Sequence, residues 1–378
     1  MINEQKKSTF FDIGSYFLKK NLKRDLPSSI VVFLVALPLC LGIALASGAP
    51  LFAGILTGII GGIVVSAISG SQLSVSGPAA GLTVIVFGAI ASLGNYQTFL
   101  LAVVLAGMLQ IILGVLKAGI IANYFPSSVI EGMLAAIGVI LILKQLPHAV
   151  GFDSDFEGDE SFFQADHENT FSAIASASNM ISYGAVIISS LSLLIMIFWP
   201  RFKKMSAIPA PVLVVVSGII LTILFQGTGI ALSPEQLVTI PVVNSFNELI
   251  SLFSFPDFSQ IGNKDVWAVA FTIAIVASIE TLLSIEAVDK IDPIKRTSPT
   301  NRELVAQGIG NMSSGLLGGL PMTSVIVRSS VNVNSGGRTK MSAIYHGSWL
   351  LLSLLFIPML LNKIPLACLA AILLVTGY

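Results

Sequence analysis

Charge is what this sequence has least of. Twenty Lys and Arg and twenty Asp and Glu make up only 11% of its 378 residues, where a soluble domain carries roughly 25%. That poverty excludes a soluble globular enzyme and a nucleic-acid partner, and the zero net charge moves the information into where the charges sit. There are only two cysteines, Cys40 and Cys368, each inside an apolar run, so neither a disulfide framework nor a thiolate metal site is expected. His148, His167 and His346 are scattered without ligand spacing. They supply no metal centre and no catalytic dyad, and no nucleophile, base and orienter can be assembled from intramembrane residues.

What the chain has instead is apolar length. Apolar residues make up 54% of it, with a mean hydropathy of +0.89, in repeated runs long enough to cross a hydrocarbon core of roughly 30 Å. Runs of helical length between polar or Gly/Pro breaks predict spans over 28–46, 51–70, 77–93, 99–121, 128–146, 179–199, 209–227, 266–287, 303–320, 323–334, 341–361 and 364–378. The class is an all-α polytopic membrane protein embedded in a lipid bilayer. Residues 1–27 carry Lys6, Lys7, Lys19, Lys20, Lys23 and Arg24 without a small-residue cleavage site, which reads as a cytoplasmic lead-in and not a signal peptide.

Basic residues collect in cytoplasmic loops, which tests the span count. With the N-terminus inside, Lys117, the Arg201/Lys203/Lys204 cluster, Lys290, Lys295, Arg296, Arg302, Arg338 and Lys340 fall inside, and only Lys144, Lys264 and Lys363 fall outside. The segment 147–178 holds Asp153, Asp155, Glu157, Asp159, Glu160, Asp166 and Glu168 with no Lys or Arg. It suits an external loop.

Two breaks carry more than topology. Ser74-Val75-Ser76-Gly77-Pro78-Ala79-Ala80-Gly81 precedes span three, and Gly318-Gly319-Leu320-Pro321-Met322-Thr323-Ser324 precedes span ten. Gly and Pro free backbone N–H groups there, which at membrane depth are tolerated only where buried in protein or lining a cavity. The breaks lie seven spans apart. If a seven-helix unit repeats in inverted orientation, they are equivalent half-helices whose N-termini meet near the midplane. Each terminus presents about half a positive charge, worth roughly 0.3–1 kcal/mol to an anion and up to ~2 when partly buried. Glu280 in span eight and Arg328 in span ten each cost about 2.5–3.5 kcal/mol to insert, so each demands a partner or a wet cavity. They either neutralise one another or serve separate ligands. Ser284, one turn beyond Glu280, either helps it hold a cation or leaves it to carry a proton.

The residues resemble the SulP sulfate permease and anion exchanger family. The resemblance rests on Ala36-Leu37-Pro38-Leu39 with Ala46-Ser47-Gly48-Ala49-Pro50, Ser76-Gly77-Pro78-Ala79 with Thr83, and Ile279-Glu280. It continues through Asn301-Arg302-Glu303-Leu304, Gly308-Ile309-Gly310-Asn311, Gly318-Gly319-Leu320-Pro321, Arg328-Ser329-Ser330 and Asn334-Ser335-Gly336-Gly337-Arg338-Thr339. It covers nearly the whole chain. It implies a seven-plus-seven inverted-repeat transporter fold with a core domain (spans 1–4 and 8–11) and a gate domain (spans 5–7 and 12–14), usually followed by a cytosolic STAS domain. On that scheme 1–27 is the cytoplasmic segment, 28–121 and 228–361 are the two parts of the core, 122–227 is the first part of the gate and 362–378 begins its second part. The chain stops within an apolar run at Tyr378, so the resemblance implies C-terminal truncation.

The resemblance also implies secondary active transport of a small inorganic oxyanion, sulfate or bicarbonate, in the cell (inner) membrane, with a homodimer in the full-length protein. The implied anion-binding residues are Ala79, Ala80 and Thr83 in span three with Val325, Ile326 and Arg328 in span ten. Glu280, Ser284 and Ser324 are implied to serve the coupling ion, sodium or a proton; no other cofactor is implied. Ile326 stands where sodium-coupled members carry threonine. A nucleobase permease of the same fold is the alternative transporter, but it commonly uses carboxylates on both spans eight and ten, and span ten here has Arg328. A non-transporting membrane sensor or scaffold is the alternative outside transport.

Overall fold

The computed structural model describes residues 19–124, 126–152, 169–177, 180–201, 209–240 and 246–377. Most of the basic lead-in, Lys203 and Lys204, and all seven carboxylates of the 147–178 segment lie outside the described residues. Twelve helices of nine or more residues are described: α1 (Lys19–Ala46), α2 (Leu51–Ile60), α3 (Thr83–Leu93), α4 (Tyr96–Val115), α5 (Ser127–Ala149), α6 (Tyr183–Phe198), α7 (Ala210–Phe225), α8 (Lys264–Ile291), α9 (Thr300–Leu317), α10 (Ile326–Asn334), α11 (Met341–Phe356) and α12 (Leu366–Gly377). They match the twelve expected spans in order. Five described stretches, Asn21–Ala46, Leu51–Ile68, Tyr96–Val115, Tyr183–Arg201 and Lys264–Ile291, are individually long and apolar enough to cross a membrane.

Two helices cannot cross alone. At ~1.5 Å per residue, α3 is about 16 Å long and α10 about 14 Å, roughly half a hydrocarbon core each. Both are entered through extended backbone. Strand β1 (Ser76–Pro78) pairs antiparallel with β2 (Met322–Ser324), with Ser76 opposite Ser324, Gly77 opposite Thr323 and Pro78 opposite Met322. Because the strands run oppositely, the half-helices they feed leave the crossing in opposite directions.

The packing follows two sets of neighbours. Helix α4 lies along α8 and α9, and α1 along α2 and α11; α12 lies along α5 and α6, and α6 along α7. The closest approach uses glycine. A Cβ on Gly107 of α4 would strike the Gly308 backbone of α9, and one on Gly308 would strike that of Gly107, as expected where small residues let helices approach without lipid between them. Helix α2 continues through a π-helical turn, Gly61–Val65, which sets Gly61 against the backbone of Ser76 and Gly77. The bulge thereby seats the strand crossing.

Several charged residues of the sequence motifs are clamps between elements. Buried Glu303 accepts from Gly70 N (2.6 Å), Ser71 N (2.9 Å) and Ser69 Oγ (2.8 Å). Arg302 Nε donates to Ile68 O at 2.6 Å and Lys340 Nζ to Ala67 O at 3.0 Å, placing cations where the α2 segment ends with unpaired carbonyls. Buried Asp25 accepts from Arg338 N (2.7 Å) and Thr339 N (3.1 Å). Below it in α1, Ser28 Oγ lies 2.8 Å from Asn332 Oδ1. These bonds tie down the polar first turns of α1, which is already helical at Lys19, well ahead of residue 28.

Candidate functional site

The two half-helix entrances are near copies of one another. Ala79, which opens the short 3-10 turn Ala80–Leu82 before α3, has φ −103° and ψ 125°; Val325, which opens α10, has φ −106° and ψ 115°. Neither receives a side-chain cap, so both N-termini keep the N–H groups and partial positive charge that attract an anion. Ala79 is buried and Ala80 partly so. The buried Thr83 hydroxyl turns back to donate to Ala80 O at 2.7 Å. On the other side, Val325 N donates to Val75 O at 3.0 Å, and Ile326 is buried behind it.

Helix α8 bridges the two entrances through consecutive residues. The half-buried Glu280 presents its carboxylate to Gly81, with Oε2 3.1 Å from the position a Cβ would take there. The next residue, Thr281, is fully buried, and its Oγ1 accepts from Ser324 N at 3.4 Å. Ser324 Oγ lies 2.6 Å from Ser74 Oγ, and Ser284 is buried one turn along α8. The crossing, α8 and both entrances are therefore one assembly. It joins Ser324 to the α8 face beside Glu280 through Thr281, which the sequence reading passed over although it adjoins the intramembrane carboxylate.

Arg328 occupies a different environment. It is wholly buried, and among the described residues no carboxylate or carbonyl oxygen accepts from its three guanidinium nitrogens, the Cys40 thiol being the side-chain group that meets them. Its guanidinium sits over Gly77, where a Cβ would collide with it, and Cys40 of α1 and the fully buried His346 of α11 stand beside it. Its described neighbours are Gly77, Cys40 and His346, while the Glu280 carboxylate faces Gly81. Gly81 is exposed and Glu280 half-buried, whereas Arg328 is sealed.

A buried polar network sets the register of the crossing. Asn311 of α9 grips both backbone groups of Met322, its Oδ1 accepting from Met322 N at 2.7 Å and its Nδ2 donating to Met322 O at 3.1 Å. The same Nδ2 lies 2.6 Å from Gln110 Oε1, and Gln110 Nε2 donates to Ser278 Oγ at 3.3 Å, two residues before Glu280. Gln307 Nε2 donates to Ser76 Oγ at 2.6 Å. The sequence signal for these was present: amides within apolar spans are costly unless satisfied. Among the described residues no cluster of three or more His, Cys, Asp or Glu is placed to hold a metal ion.

The family model described as the sulfate permease family matches residues 22–378. YvdB of Bacillus subtilis, a sulfate transporter by name, is 30% identical over 96% of this chain and 65% of its own length. The bicarbonate transporter BicA of Picosynechococcus is 28% identical over 93% of this chain and 61% of its own. This chain thus spans about two thirds of such relatives. The solved transmembrane domain of a cyanobacterial bicarbonate transporter BicA superposes with a TM-score of 0.64 at 29% identity, covering 95% of this chain and 88% of that one. The structure of SLC26A9, at 17% identity and a TM-score of 0.66, shares the fold.

Proposed function

The chain belongs to the sulfate permease family, and from that premise we propose that it is a secondary active transporter of a small inorganic oxyanion, bicarbonate or sulfate. The observation that carries the reading is the pair of uncapped half-helix N-termini joined by β1 and β2. Two such termini attract one anion without enclosing it in fixed charge, which suits a ligand that must be released. The anion sits between Ala79, Ala80 and Thr83 on one side and Val325 and Ile326 on the other. Arg328 holds it from behind through its uncompensated charge: a buried guanidinium without a partner costs several kcal/mol, so an anion nearby is favoured.

Glu280, with Ser284 and Ser324 in the same assembly, carries the coupling ion. Sodium binds the carboxylate and hydroxyl oxygens; in the alternative mode the carboxyl carries a proton. Helices α1–α4 and α8–α11 form the moving core and α5–α7 with α12 belong to the gate, in an inner membrane with the N-terminus cytoplasmic and a homodimer in the full-length protein. The match to a bicarbonate transporter at 29% identity over nearly the whole chain supports bicarbonate alongside sulfate.

Ligand-dependent thermal stability tests the reading, because a ligand that binds only the folded state stabilises it by mass action. Bicarbonate or sulfate is expected to raise the melting temperature of the purified protein above that in chloride at equal ionic strength. No stabilisation by either contradicts an oxyanion site and favours a scaffold. Stabilisation by a nucleobase alone would favour the permease of that class.

A further inference from the structure

A cavity of about 680 Å³ opens between the first turns of α1, the end of α10 and the facing ends of α6, α7 and α12. On the domain division proposed above, on which this inference rests, it lies between core and gate at the end of the molecule where the chain begins. Its two walls differ in chemistry. The side of α1 and α10 carries Lys23, Arg24 and Arg338 beside Val31 and Val331, and the side of α6, α7 and α12 carries no charge among the described residues and presents Met196, Pro211 and Ile372. Among the described residues no Asp or Glu lines it. The nearby carboxylate of Asp25 is already taken by the backbone N–H groups of Arg338 and Thr339.

The basic wall is under-used. Lys23 and Arg24 are exposed, and Arg338 Nε is buried without a hydrogen-bond partner among the described residues. An oxyanion of four or five heavy atoms fills little of such a space, since cavities of roughly 300–1,000 Å³ are the size that encloses drug-sized ligands. Three cations lining one cavity match a multiply charged group, and Arg favours phosphate oxygens through its planar donor set. The apolar wall requires a ligand with an apolar or aromatic body.

We propose that this cavity binds an organophosphate, its phosphate held by Lys23, Arg24 and Arg338 and its body laid against Met196, Pro211 and Ile372. A ligand touching both walls favours the arrangement in which they stand apart by this distance, and by that differential affinity it shifts the population toward it. Bound there, it inhibits transport by holding core against gate. The phosphate comes either from a soluble nucleotide or from the headgroup of an acidic phospholipid.

The test uses AMP as the soluble probe and phosphatidic acid as the lipid probe. AMP is expected to raise the melting temperature of the purified protein and to slow oxyanion uptake; Arg338→Gln and Lys23→Gln should each lose that response while keeping the stabilisation by bicarbonate or sulfate that reports a folded site. The lipid source is identified if uptake is slower in phosphatidylcholine vesicles doped with phosphatidic acid than in pure ones and Arg338→Gln relieves the difference. Absence of both responses in a protein that bicarbonate or sulfate does stabilise overturns the cavity proposal and leaves transport standing. An AMP response lost in Arg338→Gln, without stabilisation by any oxyanion, upholds the cavity and removes the transport reading. An equal shift from inorganic phosphate and AMP contradicts the role of the apolar wall.

Discussion

Glu280 lies over Gly81 at the mouth of α3 so closely that a Cβ on residue 81 would stand 3.1 Å from Oε2 and 3.4 Å from Oε1. One helix thus sets its carboxylate by the absence of a side chain on another. Gly81→Ala should push the carboxylate aside by a few tenths of an ångström while leaving a folded protein. The apparent affinity for the coupling cation should fall about tenfold, the equivalent of ~1.4 kcal/mol. Uptake measured against cation concentration checks this, and an unchanged half-saturation value would show that the carboxylate does not hold the ion.

Glu280→Gln removes the charge and keeps the shape. Flux should lose its dependence on the coupling cation, whether that ion is sodium or a proton. The comparison is uptake in sodium and potassium buffers at two external pH values. Retained cation dependence in the variant would remove Glu280 from the coupling site.

Among the described residues no carboxylate pairs with Arg328, so its truncation tests ligand binding without breaking an ion pair. Breaking a buried ion pair typically costs about 3–5 kcal/mol by stranding the other charge, and here no charge is stranded. Arg328→Ala relieves a buried charge but leaves a cavity in place of a wholly buried side chain, so its own ligand-free melting temperature is the reference, and it should show at least about tenfold weaker oxyanion binding. Titrating the melting temperature with sulfate and bicarbonate reads both quantities. Equal affinity in a folded variant would make Arg328 purely structural.

Asn311→Ala should do the reverse. It orphans the backbone N–H and carbonyl of Met322 and one end of Gln110, and each buried unsatisfied group costs about 1–3 kcal/mol. The melting temperature should fall markedly, with oxyanion binding weakened as well, because β2 is no longer held in register. A variant as stable as the parent would contradict the clamp.

Asp292, just beyond α8, gives a pH dependence outside the membrane spans. Burial raises its pKa, but the Arg296 side chain, 2.6 Å away, and the backbone N–H groups of Ile294 and Arg296 outweigh that and hold the carboxyl below its ordinary value. A depressed folded value means the stability is present above the unfolded pKa and is lost as pH falls through the folded one. Asp292→Asn should thus be less stable than the parent at neutral pH, with the gap closing below about pH 4. Acid-unfolding curves of the two proteins test this; a pH-independent gap would contradict it.

The half-helix entrances were legible because Gly-Pro and Gly-Gly-Leu-Pro interrupt apolar runs and lie seven spans apart. The strand pairing was not, since three residues are too few to show an alternating period. Nor could sequence say where Arg328 points: its position on span ten is visible, but its place over Gly77 beside Cys40 and His346 depends on how four separate segments pack. Gln110, Asn311 and Thr281 were visible as polar residues in apolar spans. Their partners are set by helix packing across the chain, not by spacing along it.

The most direct test of the transport account is uptake of labelled bicarbonate and sulfate into vesicles containing the reconstituted protein, with sodium or potassium outside and at two external pH values. Saturable uptake of one of these oxyanions is expected, driven either by sodium or by acid outside. Failure of both oxyanions to enter under every gradient, from a protein shown to be folded in the vesicle, would contradict it.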